Sequence, residues 1–113
     1  MARQTPDLLQ GTLDVLVLKT LTWGPRHGYA VARWLEQGSN DTLRIEEGSL
    51  YPALYRMEKK GWIEASWGMS ELGRRAKFYA LTRSGRAQLR AEVAAWRRLS
   101  GAVGRILEAS ADR

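Results

Sequence analysis

Residues 47–63 have the sequence EGSLYPALYRMEKKGWI, a pattern that predicts a helix with one buried face. Leu50, Leu54 and Met57 are spaced at i, i+4 and i+7, so they lie on one side of a helix expected to run from about Glu46 to Lys60. The opposite side mixes hydroxyl, aromatic and cationic groups. We place four residues on that side: Pro52, Tyr55, Arg56 and Lys59.

Two further helices are predicted before this stretch. The segment from Leu8 to Leu21 is apolar on most sides, and we interpret it as a helix because it is long for a strand. The tripeptide at residues 5–7, Thr-Pro-Asp, is suited to a helix start. A helix that is apolar all round must be covered on every side, which in so short a chain indicates a partner subunit. A shorter helix is predicted from His27 to Gly38.

A β-hairpin and a last helix are predicted after it. Ile63, Ala65 and Trp67 alternate with more polar residues, as in a strand, and residues 74–82 are predicted to form a second strand after a turn. The last helix is expected to start near residue 82 and to continue to about residue 108. It carries apolar residues at the spacing of a coiled-coil seam: Leu89, Val93, Trp96 and Val103.

The order of these elements predicts the fold. Three helices followed by two strands are the order of a winged helix-turn-helix, so we expect a mainly α fold with a two-stranded β-hairpin wing and a C-terminal dimerisation helix. We place the winged helix-turn-helix in residues 1–82 and the dimerisation helix in residues 83–113. In this motif the third helix enters the major groove of DNA.

Composition agrees with a nucleic-acid partner and excludes several chemistries. The chain of 113 residues has 18 basic and 12 acidic side chains, a net charge of +6, which favours a polyanionic partner such as double-stranded DNA. The absence of cysteine excludes disulfides, thiolate metal sites and cysteine nucleophiles. No apolar run is long enough to cross a membrane, and the first residues do not resemble a signal peptide, so we expect a cytoplasmic protein without a membrane partner.

Candidate DNA contacts lie on the third helix, on the wing and on the second helix. A solvated face with scattered charges is the alternative interpretation for the helix and the wing. Tyr29 has two interpretations, a core side chain or a hydroxyl that contacts a phosphate. The full set of candidates is Tyr29, Ser49, Tyr51, Pro52, Tyr55, Arg56, Lys59, Arg74, Arg75 and Lys77.

Four short motifs resemble the PadR family of bacterial regulators, in its shorter type with one C-terminal helix. They are Leu9-x-Gly11, His27-Gly28-Tyr29, the string GSLYPAL at residues 48–54 with its continuation to Ile63, and Tyr79-x-Leu81-Thr82-x-x-Gly85. The resemblance covers nearly the whole chain. It implies a repressor and a homodimer whose interface is formed by the first and last helices, and it favours a phosphate contact for Tyr29.

Trp96, in the middle of the last helix, has two interpretations. It is either part of the dimer core or a platform on which a flat, small-molecule effector stacks in an apolar space between two subunits. The residues that could line this space are Leu13, Val17, Val93, Trp96 and Val103. We interpret Trp23 and Trp67 as structural.

Enzyme chemistry and bound cofactors have no support in the sequence. His27 is the single histidine, so we expect it to cap a helix rather than bind a metal, which needs several ligands. No acids, nucleophile and base are spaced as in a catalytic site, and no glycine-rich phosphate loop is present. Two alternatives to a DNA-binding regulator stay open: a winged helix that binds only other proteins, and a basic domain that binds RNA.

Overall fold

The computed structural model describes the backbone of residues 5–111 and the side chains of residues 11–111. The predicted helix start at residues 5–7 therefore lies outside the described side chains. The elements in chain order are α1 (Thr5–Thr20), a 3-10 turn (Leu21–Trp23), β1 (Arg26–His27), α2 (Gly28–Gly38), α3 (Glu47–Lys59), β2 (Ile63–Met69), β3 (Arg75–Leu81) and α4 (Arg83–Leu107).

This order confirms the predicted winged helix-turn-helix, with one correction to the sheet. The sheet has three antiparallel strands in the order β1-β3-β2, where a two-stranded hairpin was predicted. β1 is only the dipeptide Arg26–His27, which pairs with Tyr79 and Phe78. Two residues are too few to produce an alternating pattern, so the sequence could not reveal this strand.

The core lies where α1 crosses α2, α3 and the base of the sheet. Its fully buried side chains include Leu18 from α1, Val31 from α2, Leu54 and Met57 from α3 and Ile63 from β2. The predicted apolar face of α3 is therefore buried as expected. Burial of apolar surface holds these elements together, because each Å² removed from water contributes about 25 cal/mol of favourable free energy.

Two side chains fix the starts of α2 and α4. The Nδ1 atom of His27 accepts a hydrogen bond from the backbone N–H of Ala30 at 3.2 Å, which confirms the predicted capping role. The Thr82 hydroxyl accepts from the N–H of Gly85 at 3.0 Å and donates to the carbonyl of Gly61 at 2.6 Å. A Cβ at Gly85 would lie 1.9 Å from the carbonyl oxygen of Trp62, so only glycine fits there.

The C-terminal half of α4 extends away from this core. Leu89 is buried and Val93 is half-buried against the domain, but the apolar residues after them are exposed. We call these residues the distal stripe: Trp96, Leu99, Val103, Ile106 and Leu107. The division of the chain at residue 82 stays a prediction, since the first turns of α4 pack on the winged helix.

Candidate nucleic-acid interface

The third helix presents an outward face opposite its buried one. At about 100° per residue, Pro52, Tyr55 and Lys59 lie on the side away from Leu54 and the core. Tyr55 is 62% exposed, and the Lys59 Nζ lies 5.4 Å from the centre of its ring. These three residues, with Tyr51 at their edge, form what we call the outward face of α3.

Tyr51 is held at this edge by its contact with α2. Its ring lies against Gly28, where a Cβ would be 2.7 Å from Cε1 and 2.8 Å from the hydroxyl oxygen. The ring is 44% exposed, so one side packs on the backbone of α2 and the other faces solvent. The tyrosine of the GSLYPAL motif therefore packs directly on the glycine of the HGY motif.

The structure corrects the predicted orientation of Arg56. Its guanidinium does not belong to the outward face, because Nη2 hydrogen-bonds to Oδ1 of Asp14, a buried residue of α1, at 2.5 Å. The helical position of Arg56 is on the flank of the buried face that looks toward α1. Ser49 is half-buried.

A cleft of about 290 Å³ lies between the start of α2, α3 and the wing, which is the hairpin of β2 and β3. The cleft is aromatic and cationic. Its lining includes the candidates Tyr29, Tyr51, Arg75 and Lys77, together with His27, Trp67 and Tyr79. The structure thus brings four candidates from three elements to a single opening. Burial raises the pKa of Tyr79, so its phenol stays neutral well into the alkaline range.

The three wing cations differ in their environment. Arg74 and Arg75 are exposed, and among the described residues neither has a carboxylate partner. The guanidinium of Arg75 lies 4.6 Å from the ring centre of Trp67, a cation–π contact that aligns it along β2. Lys77 is half-buried, and its Nζ is 3.4 Å from Oε1 of Glu58 on α3.

Trp67 is a candidate contact that the sequence interpretation missed. It was interpreted as structural, but the structure leaves it 60% exposed on the face of the wing that borders the cleft. Only the alternation of β2 could have indicated this exposure. Trp67 shares a face with Ile63 but lies beyond the end of the core. Trp23 is similarly exposed at 61% but stacks on Trp34, with ring centres 5.3 Å apart, outside the cleft.

A contact between His27 and Glu71 ties the wing turn to the cap of α2. Nε2 of His27 lies 3.5 Å from Oε1 of Glu71, while Nδ1 caps the helix. A backbone hydrogen bond at Glu71 and the contact with His27 lower the pKa of this carboxyl. The ring of His27 also meets the edge of Phe78 at 5.2 Å between centres. The orientation of the wing is therefore linked to the start of α2.

The residues predicted to line a dimer or effector space are divided by the structure. Leu13 and Val17 are buried in the core of the chain itself, and their place in that space stays a prediction. Val93 is half-buried, and Trp96 and Val103 are exposed on α4. An open groove of about 210 Å³ does lie between α1 and α4. Its lining is Gly11, Thr12, Val15, Glu92, Ala95, Trp96 and Leu99.

Neither a metal site nor a membrane span is found in the part of the chain that the structure describes. No three His, Cys, Asp or Glu side chains there are grouped as metal ligands would be. No helix in that part is both long and apolar enough to cross a membrane.

The fold and the cleft together define a winged helix-turn-helix protein of the kind that regulates transcription. A family model described as the transcriptional regulator PadR-like family matches residues 17–91. The chain therefore belongs to the PadR-like family, whose members are transcriptional regulators rather than enzymes.

Two solved structures agree with this assignment, and a sequence relative is similar over nearly its whole length. A PadR family transcriptional regulator from Eggerthella lenta DSM 2243 is 34% identical, with a TM-score of 0.77 over 92% of this chain and 88% of that one. A PadR-like transcriptional regulator from Bacillus cereus is 30% identical, with a TM-score of 0.78 over 92% and 99%. An uncharacterized protein X from Lysinibacillus sphaericus is 30% identical over 102 residues, 90% of this chain and 94% of its own length.

Proposed function

We propose that this regulator is a cytoplasmic homodimer that binds an inverted-repeat operator in double-stranded DNA and represses transcription by occupying it. The observation that carries the proposal is the outward face of α3, where Tyr55 and Lys59 are exposed beside a cationic wing. Exposed aromatic and cationic groups on one face of a helix are suited to base edges and phosphates in a major groove.

The proposed contacts fall into two classes. Tyr55, Pro52 and Lys59 would face base edges from α3. Tyr29 and Tyr51 at the cleft, with Arg74 and Arg75 on the wing, would contact phosphates; these set the affinity and its salt dependence without reading sequence. Lys77 would add charge at the base of the cleft, weakened by its pair with Glu58. Arg56 has no direct role in this proposal because its charge is paired with Asp14.

The proposed dimer rests on the distal stripe of α4. Leu99, Ile106 and Leu107 are exposed apolar side chains on a helix that extends from the core, and Leu99 also lines the groove between α1 and α4. An apolar stripe of this length is typical of an interface between subunits. A two-fold axis through it would present two copies of α3 to half-sites about one helical turn of DNA apart, or a multiple of it.

A small-molecule effector is the second part of the proposal. The groove between α1 and α4 holds the indole of Trp96, and a flat aromatic compound could stack there between two subunits. It would relieve repression if it bound the two arrangements of the heads with different affinity.

Fluorescence anisotropy with a duplex from the promoter region of the protein's own gene tests this function. The double variant Tyr55→Ala/Lys59→Ala should lose binding to this duplex, and Arg90→Ala, an exposed cation on α4, should retain it. A scrambled duplex at several salt concentrations measures the non-specific part. Equal binding to both duplexes would leave only a basic domain. Tight binding to structured RNA would favour the RNA-binding alternative. No loss of duplex binding in the double variant would favour a winged helix that binds only other proteins.

A further inference from the structure

The ion pair between Asp14 and Arg56 joins the first helix to the helix proposed to enter the major groove. Asp14 is only 7% exposed, and the two residues are 42 positions apart in sequence. Within the described range, residues 11–111, it is the only ion pair that connects two helices. It is therefore a specific long-range link rather than part of a general network of surface charges.

The pair fixes one flank of α3 while other contacts fix the opposite flank. Glu58, two residues after Arg56, lies on the other side of the buried face and pairs with Lys77 of the wing at 3.4 Å. Tyr51, on that same side, packs on Gly28. Between these contacts the apolar side chains of α3 would allow small rotations about the helix axis, because apolar packing is not directional. A charge-assisted hydrogen bond is directional and restricts such rotation.

Stability alone does not explain a buried charge at this position. Burying a carboxylate costs free energy that its partner only partly returns, and apolar pairs of similar volume often stabilise as well or better. α1 has a second role, since Thr12 and Val15 line the groove beside α4 while Asp14 points to α3. The helix thus lies between the proposed dimer interface and the proposed recognition helix.

We propose that Asp14 and Arg56 are positioning residues that set the rotation of α3 relative to α1, and thereby decide which side chains of α3 meet base edges. The proposal rests on the proposed DNA-binding function. Arg56 acts through the position of the helix and makes no contact with DNA.

The change in DNA affinity on removing the charge of Asp14 distinguishes a positioning role from a direct contact, because the two predict different effects. Asp14→Asn removes a negative charge from a DNA-binding protein, so simple electrostatics predicts unchanged or tighter binding to every duplex. A positioning role predicts the opposite for the preferred duplex, because α3 is no longer held at the rotation that its base contacts need. If Arg56 contacted a phosphate, its loss would weaken all duplexes alike and reduce the salt dependence by about one ion.

The test compares two duplexes, the one that the wild-type protein enriches from a randomised pool and a scrambled duplex of the same length. The variants are Asp14→Asn, Arg56→Lys and their combination, with Asp41→Asn as the matched control. Asp41 is an exposed turn residue with φ of 61°, a conformation that asparagine also adopts readily. Circular dichroism defines a temperature at which all variants are folded, and Arg56→Lys serves if Asp14→Asn does not fold.

Each single variant should lower the ratio of affinities for the two duplexes by roughly tenfold, within the range of coupling between paired residues. The double variant should lower this ratio no further than the more severe single variant does, and Asp41→Asn should leave the ratio unchanged. An unchanged or higher ratio in folded Asp14→Asn would overturn the proposal. Equal weakening on both duplexes by Arg56→Lys, which leaves the ratio of affinities unchanged, would do the same. A wild-type protein that enriches no duplex would instead refute the proposed function.

Discussion

The ring of Tyr51 occupies the space that a side chain at residue 28 would fill. A Cβ on Gly28 would lie 2.7 Å from Cε1 of Tyr51, closer than non-bonded carbon atoms approach. The contact places the start of α2 directly against the first half of α3. Tyr51 also lines the cleft, together with Tyr29 and Arg75.

Gly28→Ala should therefore displace Tyr51 and weaken binding to the preferred duplex. Moving a packed ring costs typically about 1–3 kcal/mol, part of which appears as a lower free energy of unfolding in urea. Gly48→Ala is the folding control, since a Cβ there meets no atom within 4 Å and alanine favours a helix. If Gly28→Ala were as stable as Gly48→Ala and bound the duplex normally, the contact would not position Tyr51.

Leu99→Asp should convert the proposed dimer to a monomer. Leu99 is 59% exposed in the single chain, so an aspartate there costs little within one subunit but would be buried between two. Analytical ultracentrifugation measures the mass, and circular dichroism checks that the variant is folded. Ala94→Asp, on the opposite side of α4, should remain dimeric. A Leu99→Asp protein that still sediments as a dimer would place the interface elsewhere.

Trp67→Ala should reduce DNA affinity, although the indole is not part of the core. Without the ring, the guanidinium of Arg75 loses the contact that aligns it, a loss of about 0.5–1 kcal/mol at an exposed site. Trp23→Ala is the matched control, because the two side chains are almost equally exposed. The prediction fails if anisotropy finds the two variants equally close to the wild type.

Glu71→Gln should remove a pH-dependent contribution to stability at the wing turn. The folded pKa of Glu71 is below its ordinary value of 4.5, so the ionised carboxylate stabilises the fold above that pH. This stabilisation is lost as the pH falls through the lowered folded pKa. Melting temperatures of the two proteins should differ slightly at mildly acidic pH and converge in stronger acid. A difference that persists unchanged in acid would show that the ionisation of Glu71 is not its cause.

Sequence patterns predicted the order of the longer elements, α3 and the hairpin from a clear period and α1 from its length. The buried face of α3 follows from Leu50, Leu54 and Met57, and the hairpin follows from alternation beginning at Ile63. β1 escaped prediction because a dipeptide carries no period. In α1, leucine and valine occur on every side, so periodicity could not show that Leu13 and Val17 face the core while Val15 borders the groove.

The residues of the candidate site were predictable only where the helical position of a side chain and its chemical type both indicate exposure to solvent. Tyr55 and Lys59 lie where their helical positions place them, and the structure leaves both exposed. The side chain of Arg56 does not lie where the sequence predicted it. A charged residue at the edge of an apolar face is expected in solvent unless a partner is known. That partner, Asp14, is in another helix, and no local pattern connects them. Trp67 is exposed because the core ends before it along β2. Where the core ends depends on tertiary packing, which a local sequence pattern does not show.

Hydroxyl-radical footprinting on a duplex that carries the sequence enriched by the wild-type protein from a randomised pool shows whether the chain binds an inverted repeat as a dimer. We expect two protected patches related by two-fold symmetry, about one helical turn apart or a multiple of it. Both patches should disappear together in Leu99→Asp and in Tyr55→Ala/Lys59→Ala. Uniform weak protection along the duplex, or one patch without a symmetric partner, would contradict the proposed binding of a dimer to an inverted repeat.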